Sequence, residues 1–242
     1  SYREMMGEWC EPQLTRAKDR QFYLEADELY HPLLTDPVKN TIHTHRNVLL
    51  TGSNASGKST FIKTVAINAI LAQTIHTVLA DSYRANFFRI YSSMALRDDI
   101  MSSESYYMVE IRSLKRIVDQ SKCQGEPVLC FIDEVLRGTN TVERIAASTE
   151  ILELLAAQNA FCFAATHDIE LTELLKKQYD NYHFEEQVEE DDVIFDYRLR
   201  EGKAMTCNAI KLLHMIGYDP KIVERAQERV EHFVEHGSWQ MQ

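Results

Sequence analysis

Lys58 and Ser59 close an eight-residue run, Gly52-Ser53-Asn54-Ala55-Ser56-Gly57-Lys58-Ser59, that fits the pattern GxxxxGK[ST]. Residues of these types at this spacing do phosphate chemistry. Glycine lets the backbone curl until successive N–H groups point at phosphate oxygens, and a helix that starts there adds its positive dipole end. The Lys58 ammonium would reach the outer phosphates, and the Ser59 hydroxyl would complete the shell of a magnesium ion. The pattern carries weight only between a strand and a helix. Here the apolar run Asn47 to Thr51 precedes it and an amphipathic stretch, Thr60 to Ile75, follows. Residues 52–60 therefore read as a nucleotide-binding loop running into a helix.

Two further positions suit such a loop. The apolar run Val128 to Ile132 ends in Asp133-Glu134, and the run Ala160 to Ala165 ends in Thr166-His167. Parallel sheets bind ligands at the carboxyl ends of their strands, which puts these side chains beside the phosphates. Asp133 can hold magnesium through water, and Glu134 can polarise the water that attacks the outermost phosphate. A neutral His167 can donate to that phosphate or hold the water. Each has a plainer reading too, as a solvated acidic pair at a strand end and as a polar turn residue. The loop upstream favours the chemical one.

Holding these groups together takes alternating strands and helices. Helical spacing predicts helices over about 58–77, 103–121, 141–158, 206–215 and 219–236, the last opened by Asp219-Pro220 as cap and first residue. Residues 128–132 and 160–165 are continuous apolar runs, the pattern of strands buried on both faces. Phe22 to Ala26 reads as an edge strand before a turn at Tyr30-His31-Pro32, and Asn86 to Tyr91 as a further strand. His183 to Val188 and Val193 to Leu199 read as an antiparallel hairpin around the acidic turn Glu189 to Asp192. The expected class is α/β, a mostly parallel sheet flanked by helices, with a hairpin and C-terminal helices appended. Residues 1–21 are expected to be a helical tail from a preceding domain, 22–236 the main domain and 237–242 a tail.

A chain of 242 residues with a formal charge of −11 repels nucleic acid, so within a DNA-working protein it would be motor rather than grip. No apolar run approaches the ~20 residues of a membrane span, and no signal peptide is visible. The start at Ser1 points to a segment of a longer protein. Five scattered cysteines without CxxC spacing read as reduced residues of a cytoplasmic protein, Cys130 and Cys162 as core. His43 and His45 alternate near a strand start with no evident Cys or carboxylate partner in sequence, and read as surface residues rather than metal ligands. Asp98-Asp99 are loop charges or a second shell to the magnesium.

Together the phosphate loop, the Asp-Glu pair and the strand-end His resemble the ABC-type P-loop ATPases, and in detail the ATPase domain of the MutS family of mismatch-repair proteins. The resemblance lies in Thr51 to Thr60, in Tyr107-Met108-Val109-Glu110, in Asp133-Glu134-Val135-Leu136-Arg137-Gly138-Thr139-Asn140-Thr141, and in Ala164-Ala165-Thr166-His167-Asp168-Ile169-Glu170-Leu171. His31-Pro32, Asn40 and Leu71-Ala72-Gln73 also fit, so it covers nearly all of residues 22–235. It implies ATP and magnesium as ligands and a homodimer in which two domains share two ATP sites. In that arrangement Ser102, Ser103 and Ser105 would cap the partner's nucleotide, although serines there also serve as plain helix caps. Arg137 to Thr141 would lie along the seam. DNA, mismatched or branched, would be bound by segments outside this chain, and no membrane is implied.

This chain departs from the family pattern at three places. Ser53, Ala55 and Ser56 stand where the family has Pro and two glycines. Ser105-Tyr106-Tyr107 replaces Ser-Thr-Phe. Pro37 and Val38 stand near the place of the family's adenine-stacking aromatic, with Tyr30 or His31 as candidate substitutes. The departures identify a divergent relative. Two rivals follow: a nucleotide-gated interaction module with little or no hydrolysis, and another ABC-type ATPase. The missing Leu-Ser-Gly-Gly-Gln signature argues against the second.

Overall fold

The structure, a computed structural model, describes residues 7–53, 56–94, 106–137, 139–188, 193–204 and 209–239. Expectations for Asn54, Ala55, Asp98, Asp99, Ser102, Ser103, Ser105, Gly138, Cys207 and the turn 189–192 lie outside the described residues. The chain forms two compact units, Ser1–Phe184 with Tyr197–Ala204, and Glu185–Asp196 with Met205–Gln242.

The first unit is α/β. Strands β1 (Gln13–Thr15), β2 (Leu24–Leu29), β3 (Asn40–Thr44) and β4 (Asn47–Thr51) lead into helix α1 (Lys58–Thr74). Then come β5 (Ser82–Asn86), β6 (Arg89–Ser93), α2 (Tyr106–Ser121), β7 (Val128–Asp133), α3 (Thr141–Ala157), β8 (Ala160–Ala165), the short α4 (Glu170–Leu174) and β9 (Tyr179–His183). A six-stranded sheet has the order β12-β9-β4-β8-β7-β6, where β12 is Arg200–Glu201. Five of its strands are parallel and β12 is an antiparallel edge.

The apolar runs are explained by burial on both faces of this sheet. Val48 and Leu50 of β4 join Phe131, Phe161 and Phe163 in one core with Ile62, Val65 and Ala69 of α1. Leu49, between them in sequence, points the other way with Cys130, Ile132, Cys162 and Ala164, against Leu114 and Ile117 of α2 and Leu152 and Leu155 of α3. Cys130 and Cys162 are buried free thiols, as their setting in apolar runs predicts.

Several expectations are corrected. A second sheet of order β1-β5-β2-β3 was not anticipated, and in it β2 lies between two neighbours rather than at an edge. β3 escaped notice because its inward residues, Ile42 and Thr44, alternate with exposed polar ones, too weak an alternation to register. The single strand expected over 86–91 is two strands in different sheets. The chain breaks at Phe87 and Phe88, whose N–H groups are taken by Thr15 O (2.8 Å) and the Gln73 side chain (2.7 Å). His183 does not open the hairpin. It ends β9, paired with Thr51 of β4, because the centre of a sheet satisfies its backbone better than a hairpin edge.

The second unit holds the hairpin, β10 (Glu186–Val188) with β11 (Val193–Phe195), and helices α5 (Ala209–Met215) and α6 (Pro220–His236). The Asp219 side chain accepts from Lys221 N, and Gly237 closes α6 at φ 68°, the cap chemistry that Asp-Pro and Gly supply. Among the described residues no helix is long and apolar enough to cross a membrane.

Candidate active site

β4 delivers the chain into the loop at Gly52, whose φ of 138° only glycine adopts readily. A Cβ there would stand 2.7 Å from Phe184 O and 2.9 Å from Ser56 Oγ. The buried Ser56 hydroxyl donates to Ser53 O at 2.9 Å, tying the described ends of the loop together. Gly57, also at positive φ, precedes α1 without a side-chain cap, and no acidic residue stands in the first turn. The N–H groups of that turn are thus presented with the positive end of the helix dipole. Lys58 is 5% exposed, and its Nζ donates to Gly52 O (2.7 Å) and Ser53 O (2.6 Å). Its ammonium therefore sits inside the loop's own curl.

Two strands over from β4, β7 ends at Asp133, and the intervening β8 ends beside it, with Thr166 N donating to Leu50 O at 2.9 Å. One carboxylate oxygen of Asp133 is buried without a hydrogen-bond partner. Buried acceptors are rarely left so, and a hard cation or its water is what such an oxygen suits. Glu134 follows at φ 60°, and its carboxylate accepts from His167 Nε2 and meets Arg137 Nε at 2.6 Å. The hydrogen bond from His167, reinforced by the charges of Arg137 and Lys58, holds the Glu134 carboxyl below the usual range against the opposing effect of burial. The group is a carboxylate at neutral pH, with its orientation set by an imidazole.

Glu134 forms part of the wall of a cavity of about 480 Å³ that also takes in Ser53, Gly57, Lys58, Ser59 and Thr60. The cavity extends away from the loop to His31, Leu34 through Val38, Asn40 and Tyr197. There Leu34, Pro37 and Val38 and the rings of His31 and Tyr197 offer faces to a flat ring among the polar Thr35, Asp36 and Asn40, while residues 57–60 offer N–H groups, an ammonium and hydroxyls. Burial and the nearby Lys63 push the His31 imidazole down, toward the neutral ring. Of the two candidate aromatic substitutes, His31 lines the cavity. Tyr30 does not, being buried with its hydroxyl donating to Glu8 O.

Tyr197 was missed by sequence reasoning, as was the pin that places it. Asn40 Nδ2 donates to Tyr197 O (3.0 Å) while its Oδ1 accepts from Leu199 N (2.7 Å). A contact across 157 residues leaves no periodicity to read. A second missed feature is the two-pronged pair of Arg144 with Asp168, Nε to Oδ2 at 2.7 Å and an Nη to Oδ1 at 2.6 Å, which fixes the residue after His167. His43 and His45 are exposed as expected, but carboxylates do stand beside them: Asp27 at 2.9 Å and Glu25 at 3.2 Å, brought by β2. Among the described residues no group of three or more His, Cys, Asp or Glu could hold a metal ion.

Comparison with known proteins bears on the same residues. A family model described as MutS domain V matches residues 48–234. A DNA mismatch repair protein MutS from Pseudothermotoga lettingae is 38% identical over 190 residues, 76% of this chain and 23% of that protein. One from Thermus aquaticus is 32% identical over 202 residues, 81% of this chain and 24% of that protein. One from Natronomonas pharaonis is 35% identical over 184 residues, 74% and 21%. The chain thus spans about a quarter of the length of these relatives. With the matched segment running from β4 through the loop after Gly52, the Glu134–His167 pair and into α6, this chain belongs to the MutS family.

Proposed function

We propose that this chain is the ATP-binding and hydrolysing domain of a MutS-related DNA repair or recombination protein, of the ABC-type P-loop fold. The observation that carries the reading is a single cavity lined by Lys58, Ser59 and the His167-bonded Glu134. In this reading the triphosphate lies against residues 52–60, and the base against His31 and Tyr197. Lys58 exchanges its loop carbonyls for phosphate oxygens. Ser59 and Asp133 would hold magnesium, which neutralises charge on the phosphates during transfer. Glu134, ionised and steered by His167, takes the proton of the attacking water.

Two such domains would share their sites, with Ser102, Ser103 and Ser105 of one reaching the nucleotide of the other. The relatives are named as DNA mismatch repair proteins, and with this chain's charge of −11 DNA contact would fall to other segments of its parent.

The test is ATP turnover per molecule as protein concentration rises. A specific rate that climbs with concentration is expected, as is loss of ATP binding in Lys58→Ala. Glu134→Gln should bind ATP, fail to turn it over and accumulate as a dimer. A Glu134→Gln protein that traps ATP as a monomer refutes the shared sites. A flat, near-zero rate with ATP bound leaves a nucleotide-gated switch in place of a hydrolase.

A further inference from the structure

Glu110 takes no part in the chemistry above, yet it is a buried acid placed against the same turn. It lies one helical turn into α2 and is 3% exposed. Its Oε1 accepts from Leu136 N at 2.5 Å and from Arg137 N at 3.4 Å, while Oε2 is buried with no hydrogen-bond partner. A carboxylate removed from water and given only backbone donors is costly to keep. Burial accordingly pushes its pKa up, against the two N–H groups and the Arg137 charge that oppose it.

The turn it meets is unusual. Glu134 and Leu136 both have positive φ, 60° and 56°, a conformation that residues with side chains hold only when their surroundings over-determine it. Those surroundings come from three elements. Ala165 O of β8 accepts from Glu134 N (3.0 Å), Ser148 of α3 donates to Val135 O (3.4 Å), and Glu110 of α2 takes the next two N–H groups. Without the last, Leu136 N and Arg137 N lose the acceptor that Glu110 gives them where the turn now sits. The chain would then relax toward ordinary φ and rotate the Glu134 side chain away from His167.

We propose that Glu110 is a positioning residue for Glu134: fixed on α2, its carboxylate holds the 134–137 turn in the shape that aims Glu134 at His167 and into the cavity wall. A movement of α2 is thereby transmitted to the carboxylate that faces the cavity. The catalytic consequence rests on the function proposed above, whereas the positioning itself does not.

The experiment compares Glu110→Gln, Glu110→Asp and Glu134→Gln with the wild-type chain. Gln keeps an acceptor at the reach of Leu136 N. Asp keeps the charge but is one methylene short, and disturbs packing less than Ala. The first readout is the His167 side-chain resonance by NMR, which Glu134→Gln must move because it changes the group bonded to the ring. Glu110→Asp should move it in the same direction and Glu110→Gln should leave it near wild type. The second readout is kinetic: in Glu110→Asp kcat should fall by about tenfold or more, the scale of a misplaced general base, with ATP affinity changed less than about twofold and recovery in Glu110→Gln. An unmoved His167 resonance in a folded Glu110→Asp overturns the proposal. So does a Gln variant as impaired as the Asp one, since then the acceptor is not what matters. If the wild-type chain binds no ATP, the proposed function fails while the resonance still decides whether Glu110 sets the turn.

Discussion

Gly52→Ala separates two physical costs that are usually confounded. The first is conformational. At φ 138° any side chain is strained, and residues held in such sparsely populated regions cost about 1–3 kcal/mol. The second is steric. The new methyl would sit 2.7 Å from Phe184 O, a backbone atom anchored because Phe184 N donates to Thr51 O at 3.1 Å. It would also sit 2.9 Å from Ser56 Oγ, itself held on Ser53 O. Neither neighbour can swing away, so overpacking adds about 1–3 kcal/mol. Gly125 provides the control, because it has φ 111° and nothing within 4 Å of the position a Cβ would take. Gly125→Ala therefore pays the conformational cost alone. Thermal unfolding of the two variants should place Gly52→Ala below Gly125→Ala by the steric part, about 2–4 °C for each kcal/mol in a chain of this size. Nucleotide affinity should fall in Gly52→Ala and stay unchanged in Gly125→Ala, since relief of the clash can come only by moving the loop or Phe184, which also lines the cavity. Equal melting temperatures together with wild-type affinity in Gly52→Ala would refute the steric argument.

Two further outcomes follow from the same site. The Glu134 carboxyl is held below its ordinary value chiefly by the His167 hydrogen bond, so its ionised form contributes stability that is complete above the unfolded-state pKa and lost as pH falls through the lower folded value. The stability gap between wild type and Glu134→Gln should be largest near neutrality and should close only below about pH 4, under the ordinary carboxylate range; a gap constant across that window, read by denaturant titration, would contradict it. The Arg144–Asp168 pair, with side chains 23% and 9% exposed, should show a coupling of about 1.5–3 kcal/mol in a double-mutant cycle to alanine, as charged hydrogen bonds shielded from water do. Additive single effects would mean the pair is ornamental.

The candidate site residues were legible because they are local. GxxxxGK[ST] between a strand and a helix, and acids or His directly after apolar runs, announce themselves within a few residues of one another. The buried strands β4, β7 and β8 were legible for the same reason, since two-sided burial writes a continuous apolar run. The Asp219-Pro220 start of α6 needed only one cap.

What could not be read was decided by contacts across the chain. β3 and β5 carry only weak alternation and become strands by pairing with β2 and, for β5, with β1 as well. Tyr197 reaches the cavity through Asn40, and Arg144 steadies the His167 loop through Asp168, each link made by side chains far apart in sequence. Local spacing determined which residues could touch a phosphate and roughly what would carry them. The tertiary structure decided what aims them: the left-handed turn at Glu134 and Leu136, and the buried Glu110 beneath it, exist only because three elements close on that turn at once, and no stretch of this sequence contains all three.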